Sequence, residues 1–286
     1  MSKNEVKIFV GYHKPHTVFK SDVFQPILTA DVAWDNPDVI RDDSGTNIAE
    51  KNKNYGELTG HYWVWKNFLP KTEAKYVGFC HYRRFFDFNM HQTPNVPFMP
   101  ILATDFEKTF KNYTEENILK CIGDYDIVLT HKYKFEEEIL VQYMKYHPGN
   151  DINLALNAIK DFSPEYYFHA LKFITSKEMY ACLQFVMKKE LMEEYMQWMF
   201  GFLNLLEERS DWSKYDEYMT VRMPAYIAER FFNVWLDYNV AKRGLKVLES
   251  SSYLLTGKDY GQFSYEEQKQ RYDFVANSEL YKPQNS

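Results

Sequence analysis

With 286 residues, 45% of them hydrophobic and 18% aromatic, the chain can bury a sizeable core, which excludes an intrinsically disordered protein. It carries 40 acidic residues against 34 Lys and Arg, a formal charge of −6, so there is no global positive field to attract nucleic acid. An anionic ligand must be held by a local cluster, and with no apolar stretch near the ~20 residues of a membrane-spanning helix, membrane contact is expected to be peripheral.

In chain order, the apolar run Val6 to Tyr12 predicts a buried first strand and is too short for the apolar region of a signal peptide. The segment Tyr55 to Leu69 sets Leu58, Tyr62, Trp65 and Leu69 at helical spacing, with Pro70 as its stop. Lys75 to Cys80, Tyr125 to Thr130 and Cys182 to Met187 predict three further strands. Thr104 and Ser163 are expected as helix N-caps, the second followed by Pro164, and further helices are predicted at Lys189 to Glu207 and Tyr215 to Tyr238. Phe88 to Ile101, with three prolines, reads as a mobile loop, and the polar tail after Tyr260 as partly frayed.

Strands alternating with helices predict an α/β fold, a Rossmann-type, mostly parallel sheet flanked by helices, with additional C-terminal helices. A single domain is expected over residues 1–286: a nucleotide-binding half to about residue 135, a second half to about 260, and a tail over 261–286. In such a sheet ligands bind beyond the carboxyl ends of the strands, so chemistry is sought there.

The first strand ends in Gly11-Tyr12-His13-Lys14-Pro15, either a plain turn or the edge of a nucleotide pocket. Neither G-x-G-x-x-G nor a Walker lysine motif is present, which removes support for dinucleotide and P-loop readings. The second strand runs directly into His81-Tyr82-Arg83-Arg84-Phe85-Phe86. Guanidinium forks match phosphate oxygens, so a diphosphate is the natural ligand of Arg83 and Arg84, with surface ion pairs as the alternative.

A metal-dependent sugar transferase presents an Asp-x-Asp pair just after such a strand, where His81-Tyr82-Arg83 stands instead. Asp124-Tyr125-Asp126 precedes its strand and so lies at the edge opposite the ligand, where it reads as a turn signal. The eight histidines lack ligand spacing, and Cys80, Cys121 and Cys182 form no metal motif, so no metal or other cofactor is expected to be required. Three such thiols suit a reducing cytoplasm.

His147-Pro148-Gly149-Asn150-Asp151 leads into a helical run, with Asp151 either a cap or a carboxylate in the site. Near the end, Arg222 and the pair Glu229-Arg230 sit among bulky apolar residues. The pair is either an ion pair on a helix flank or a general base, with Arg230 or Arg222 steering it or the phosphates.

Four blocks carry a resemblance. They are Tyr55 to Asn67 (YGELTGHYWVWKN), Gly78 to Phe86, Gln184 to Lys189, and Glu229 to Leu236 (ERFFNVWL). In this order they are similar to bacterial polysaccharide-cluster glycosyltransferases, a family first catalogued as a domain of unknown function and linked to galactofuranosyl transfer. The chain departs from that pattern at Gln184, where Asn is usual, and at Ala228, where Ser is frequent.

The resemblance implies a GT-A-like transferase that moves a sugar such as galactofuranose from a UDP-sugar to a glycan or lipid-linked acceptor of capsule or O-antigen synthesis. It implies work in the cytoplasm, at the inner face of the cell membrane. On this basis Glu229 is expected as the base of an inverting transfer, with Asp151 in reserve and Arg230 as steering cation. His81, Arg83 and Arg84 are expected on the diphosphate, Tyr12, His13 and Asn52 around the nucleoside, and His147 and Gln184 on the acceptor side. A non-catalytic nucleotide-sugar or carbohydrate-binding protein and a nucleotidyltransferase remain as rival readings.

Overall fold

The computed structural model describes residues 4–29, 32–89, 96–148, 150–215, 218–257 and 264–276. Among the described residues twelve strands are formed: β1 Val6–Tyr12, β2 Phe24–Leu28, β3 Ile40–Arg41, β4 Tyr76–His81, β5 Arg84–Phe86, β6 Phe98–Leu102, β7 Ile127–Thr130, β8 Tyr133–Lys134, β9 Glu178–Met179, β10 Phe185–Lys188, β11 Val247–Ser250 and β12 Ser252–Thr256. The first six helices are α1 Asn52–Tyr55, α2 Leu58–Trp63, α3 Ala103–Phe110, α4 Glu115–Ile122, α5 Ile139–Met144 and α6 Asn150–Phe162. The others are α7 Tyr167–Ile174, α8 Lys189–Arg209, α9 Tyr218–Val221, α10 Met223–Arg243 and α11 Tyr265–Ala276.

The main sheet has the order β11-β7-β10-β4-β1-β2-β3, extended by β5, β12 and β6. It is mainly parallel; β10 runs antiparallel to both of its neighbours. Successive β1 side chains alternate between faces, so Ile8, Val10 and Tyr12 join one apolar cluster and Phe9 the other. The first cluster packs under α3 and α4; the second is covered by α2, α5 to α8 and α10. Gly78 lets β10 approach β4, since a Cβ there would lie 2.5 Å from the Phe185 carbonyl oxygen.

The α/β architecture follows the sequence expectation, but several elements differ. Helix α3 begins at Ala103, with Leu102 rather than Thr104 at the cap position and no side-chain cap. Ser163 does precede a turn with Pro164 at its start, yet its side chain makes no cap hydrogen bond. The expected loop Phe88 to Ile101 contributes β6 from Phe98 onward, and residues 90–95 of it lie outside the described residues. The tail forms α11, whose Tyr272 packs on the Val96–Met99 cluster; 258–263 and 277–286 lie outside the described residues.

Asp124 and Asp126 stand at the start of β7, at the edge opposite the strand carboxyl ends. Asp124 pairs with Lys246, and Asp126 holds Lys188 at 2.5 Å and accepts from the Lys246 backbone N–H at 2.7 Å. The two carboxylates link the start of β7 to the segment before β11 and to the end of the antiparallel strand β10. Among the described residues no helix is long and apolar enough to cross a membrane.

Candidate active site

Five segments meet at the carboxyl edge of β1, β2 and β4 and enclose a cleft of about 590 Å³. His13 follows β1, Thr29 follows β2, and His81 ends β4, in register with Gly11. The other walls are the α1–α2 junction, with Asn52, Gly56 and Glu57, and Arg222 between α9 and α10. A narrow recess lined by Glu57, His61, His81, Cys182 and Leu183 adjoins it.

The two helix breaks create this wall. The apolar spacing from Tyr55 to Leu69 predicts one helix, but Gly56 at φ 53° and ψ −130° interrupts it, and regular helix resumes at Leu58. The run predicted from Tyr215 is likewise broken at Arg222, because Pro224 opens α10 and has no N–H to continue a preceding helix. The two breaks face each other: a Cβ on Gly56 would lie 2.2 Å from Nη2 of Arg222. A side chain at position 56 would displace that guanidinium from the cleft.

Asn52 is a bracket. Its Nδ2 donates to the carbonyl oxygens of Thr29 and Gly56, the latter at 3.0 Å, and lies 3.1 Å from Thr59 Oγ1. It thereby ties the broken helix to the end of β2.

Glu57 lines both the cleft and the recess. Burial and then the neighbouring charge of Glu229 push it up to about 7, against the opposing pull of Arg84 and Arg222. Glu229, on α10, is anchored: its Oε1 accepts the Cys182 backbone N–H at 2.5 Å, and its Oε2 lies 3.7 Å from Arg230. Cys182 and Leu183 adopt φ of 67° and 43°, uncommon for non-glycine residues and of the kind held at functional sites. The Cys182 thiol is pushed up to about 11 by burial, so it is no nucleophile at neutral pH.

Side chains around the cleft supply fixed positive charge. Burial and then Lys14, Arg83 and Arg222 lower His13; burial and then Arg84 and His13 hold His81 well below the usual imidazole range. Both rings, 5.6 Å apart and stacked, are therefore neutral hydrogen-bonding groups at pH 7, and the permanent charges are the arginines. Arg84 also lies 5.4 Å from the Phe98 ring and within electrostatic range of Glu57, Glu229 and Cys182.

Residues 7–240 match a family model described as "Domain of unknown function (DUF4422)". The chain belongs to this DUF4422 family. It is also similar to a solved structure of the WbbM bifunctional glycosyltransferase in its apo form, with a TM-score of 0.79 and 31% identity. The match covers 89% of this chain and 46% of that one, so the DUF4422 chain spans less than half of that protein's length. No curated protein matches it.

Of the remaining residues singled out from the sequence, Tyr12 lies at the cleft and Asp151, Arg230, His147 and Gln184 lie elsewhere in the DUF4422 fold. Tyr12 borders the cleft, but its ring is buried, tilted against Trp34 and stacked on Tyr82, and its hydroxyl lies 3.1 Å from both the Thr17 carbonyl oxygen and the Phe19 N–H. Asp151 is 1% exposed and accepts the hydroxyls of Tyr143 at 2.7 Å and Tyr215 at 2.8 Å, which seals it from an acceptor. Arg230 lies over the same Tyr143 ring at 4.7 Å and donates to Gln142 at 2.8 Å, while His147 packs between Tyr143 and Tyr226. Buried Asp151 and Arg230 and half-buried His147 thus form one knot around Tyr143 that joins α5, α6 and α10. Gln184 is buried and donates to Ser252 Oγ at 2.8 Å, tying the segment before β10 to β12.

Glu57 and Gly56 line the cleft without being expected there from the sequence; the local signal is a glycine inside an otherwise apolar-periodic helix, which weakens the expectation of a continuous helix.

Proposed function

We propose that this DUF4422 chain is an inverting glycosyltransferase that moves a sugar from a UDP-sugar to a hydroxyl of a growing surface polysaccharide or lipid-linked oligosaccharide. UDP-galactofuranose is the donor that the sequence resemblance puts first. The observation that carries the reading is the pairing, on one strand-edge cleft, of Arg222 with a carboxyl group poised near neutrality, Glu57. The similarity to a glycosyltransferase structure supports it.

In this reading Arg222 and neutral His13 receive the diphosphate, with Arg83 and Arg84 adding positive potential behind them. Glu57 takes the proton of the acceptor hydroxyl as its oxygen attacks the anomeric carbon. The bond from that carbon to the terminal phosphate oxygen breaks, its electron pair leaves with UDP, and the arginines stabilise the growing negative charge. Burial raises the proton affinity of Glu57, and the charge of Glu229 adds to that rise. The reaction needs no metal in this proposal, because guanidinium groups occupy the electrostatic role. The acceptor is reached in the cytoplasm, by peripheral contact with the membrane where it is lipid-linked.

A ligand that selects the folded state stabilises it by mass action, so UDP and UDP-sugars are expected to raise the melting temperature. A panel in which another nucleotide stabilises the protein at millimolar concentration and no uridine nucleotide does so overturns the donor assignment. Release of UDP only when donor and acceptor are both present separates the enzyme from a binding protein, and formation of pyrophosphate would indicate a nucleotidyltransferase. Turnover is also expected to persist in EDTA; complete loss, restored by Mn²⁺ or Mg²⁺, overturns the metal-independent mechanism.

A further inference from the structure

A second cleft, of about 360 Å³, lies between α7, α10 and the start of β11. Its walls mix apolar groups such as Val240 with Lys132, Lys172, Glu178, Tyr180 and Asp237. The four charges cancel: Lys132 pairs with Glu178, and Lys172 lies 2.9 Å from Asp237, which His169 also approaches at 2.7 Å. Burial opposes ionisation of Asp237, but the hydrogen bonds from Lys172 and His169 prevail and hold its carboxyl below the usual range. Lysines already compensated in this way offer little to an added anion. Paired ions do present donors and acceptors side by side, which suits hydroxyl groups, and Tyr180 adds an aromatic surface.

This cleft is joined to the active site by covalent and hydrogen-bonded structure. Glu229, Asn233 and Asp237 follow one another at four-residue steps along α10, a stripe on one helix face about 12 Å long. Asn233 clasps the Tyr180 backbone, accepting its N–H at 2.7 Å and donating to its carbonyl oxygen at 2.9 Å. Two residues later the same segment delivers the Cys182 N–H to Glu229. One loop and one helix face therefore run from the reacting end to the second cleft.

We infer that this second cleft is a subsite for the distal sugars of a neutral oligosaccharide acceptor, whose terminal hydroxyl reaches the Glu57–Glu229 end of the stripe. The inference rests on the glycosyl-transfer reading for the word acceptor, but the binding of a neutral oligosaccharide is measurable without turnover.

The test uses neutral galactan, glucan and mannan tetrasaccharides and the matching methyl monosaccharides, with binding followed by saturation-transfer NMR. Val240→Trp fills the cleft, and Lys172→Ala removes a largely exposed donor whose loss leaves the core intact. At least one tetrasaccharide is expected to bind the wild type, and both variants to weaken it by about tenfold or more, with the tetrasaccharide KM rising in parallel. The monosaccharide KM and the UDP-induced melting shift are expected to stay within about twofold and unchanged, respectively. Unaltered tetrasaccharide binding in either folded variant, displacement by inorganic pyrophosphate, or no tetrasaccharide binding to the wild type overturns the proposal. Absence of UDP-sugar binding and turnover in the wild type would instead sink the glycosyl-transfer reading, while the NMR result would still decide the cleft.

Discussion

Replacing Glu57 with glutamine is expected to lower turnover by ~10²–10⁴-fold at mildly alkaline pH while the melting shift caused by UDP is retained, since a general base acts on the reacting proton and not on donor binding. In the wild type the rate is expected to rise with pH along an acid limb centred near the proton affinity of Glu57, about 7. Glu229→Gln keeps an oxygen to accept the Cys182 N–H but removes the charge that helps raise Glu57. That variant is therefore expected to move the limb to lower pH and to keep much of its turnover on the alkaline plateau. The opposite pattern, with Glu229→Gln inactive at every pH and Glu57→Gln active, returns the base to Glu229, where the order of the sequence blocks puts it.

The same group links pH to stability. The ordinary carboxyl value is 4.5 and the folded value about 7, so the folded state binds the proton more tightly. The stability that Glu57 contributes is present in full below the unfolded value and is lost as pH rises through the folded one. Glu57→Gln is thus expected to reduce the fall in melting temperature between about pH 5 and about pH 8. A purely structural ion pair at this position predicts a lower melting temperature in the variant at the higher pH.

The strands rich in β-branched and apolar residues were legible because burial on both faces leaves a continuous apolar run: β1 matches its prediction from Val6 to Tyr12, and β4 is displaced by one residue. β2 and β6 were hidden by Pro26 and Pro100, which argue against a strand by removing a ladder donor. The lining of the cleft was legible where it follows a strand end, as at His13 and His81. It was not legible where helices break: the spacing of Leu58, Tyr62, Trp65 and Leu69 conceals the interruption at Gly56, and with it the exposure of Glu57 to the cleft. Asp151 shows the converse. A carboxylate beside turn residues looks available for catalysis until the fold brings Tyr143 and Tyr215 over it from α5 and from the segment before α9.

Arg222→Ala is expected to lower kcat/KM for the UDP-sugar by roughly 30- to 150-fold, the equivalent of losing about 2–3 kcal/mol of charge-assisted contact to the leaving diphosphate. Arg222→Lys keeps the charge and loses the planar fork, so an intermediate loss is expected. Gly56→Ala acts through the same group, because its Cβ would lie 2.2 Å from the guanidinium and its φ of 53° is strained for alanine. It is expected to lower donor use together with the melting temperature, whereas Arg222→Ala lowers donor use alone. Arg84 has a different signature: it favours ionisation of Glu57, so Arg84→Ala is expected to weaken donor use and also to shift the acid limb to higher pH. Arg83→Ala removes positive potential felt at His13 and is expected to weaken donor use without that shift. Asp124→Ala, which breaks an exposed pair with Lys246 at the far edge of the sheet, serves as the control and is expected to leave donor use unchanged. If the Arg222, Arg84 and Asp124 variants all show the same small change in kcat/KM, the arginines are surface charges and the diphosphate binds elsewhere.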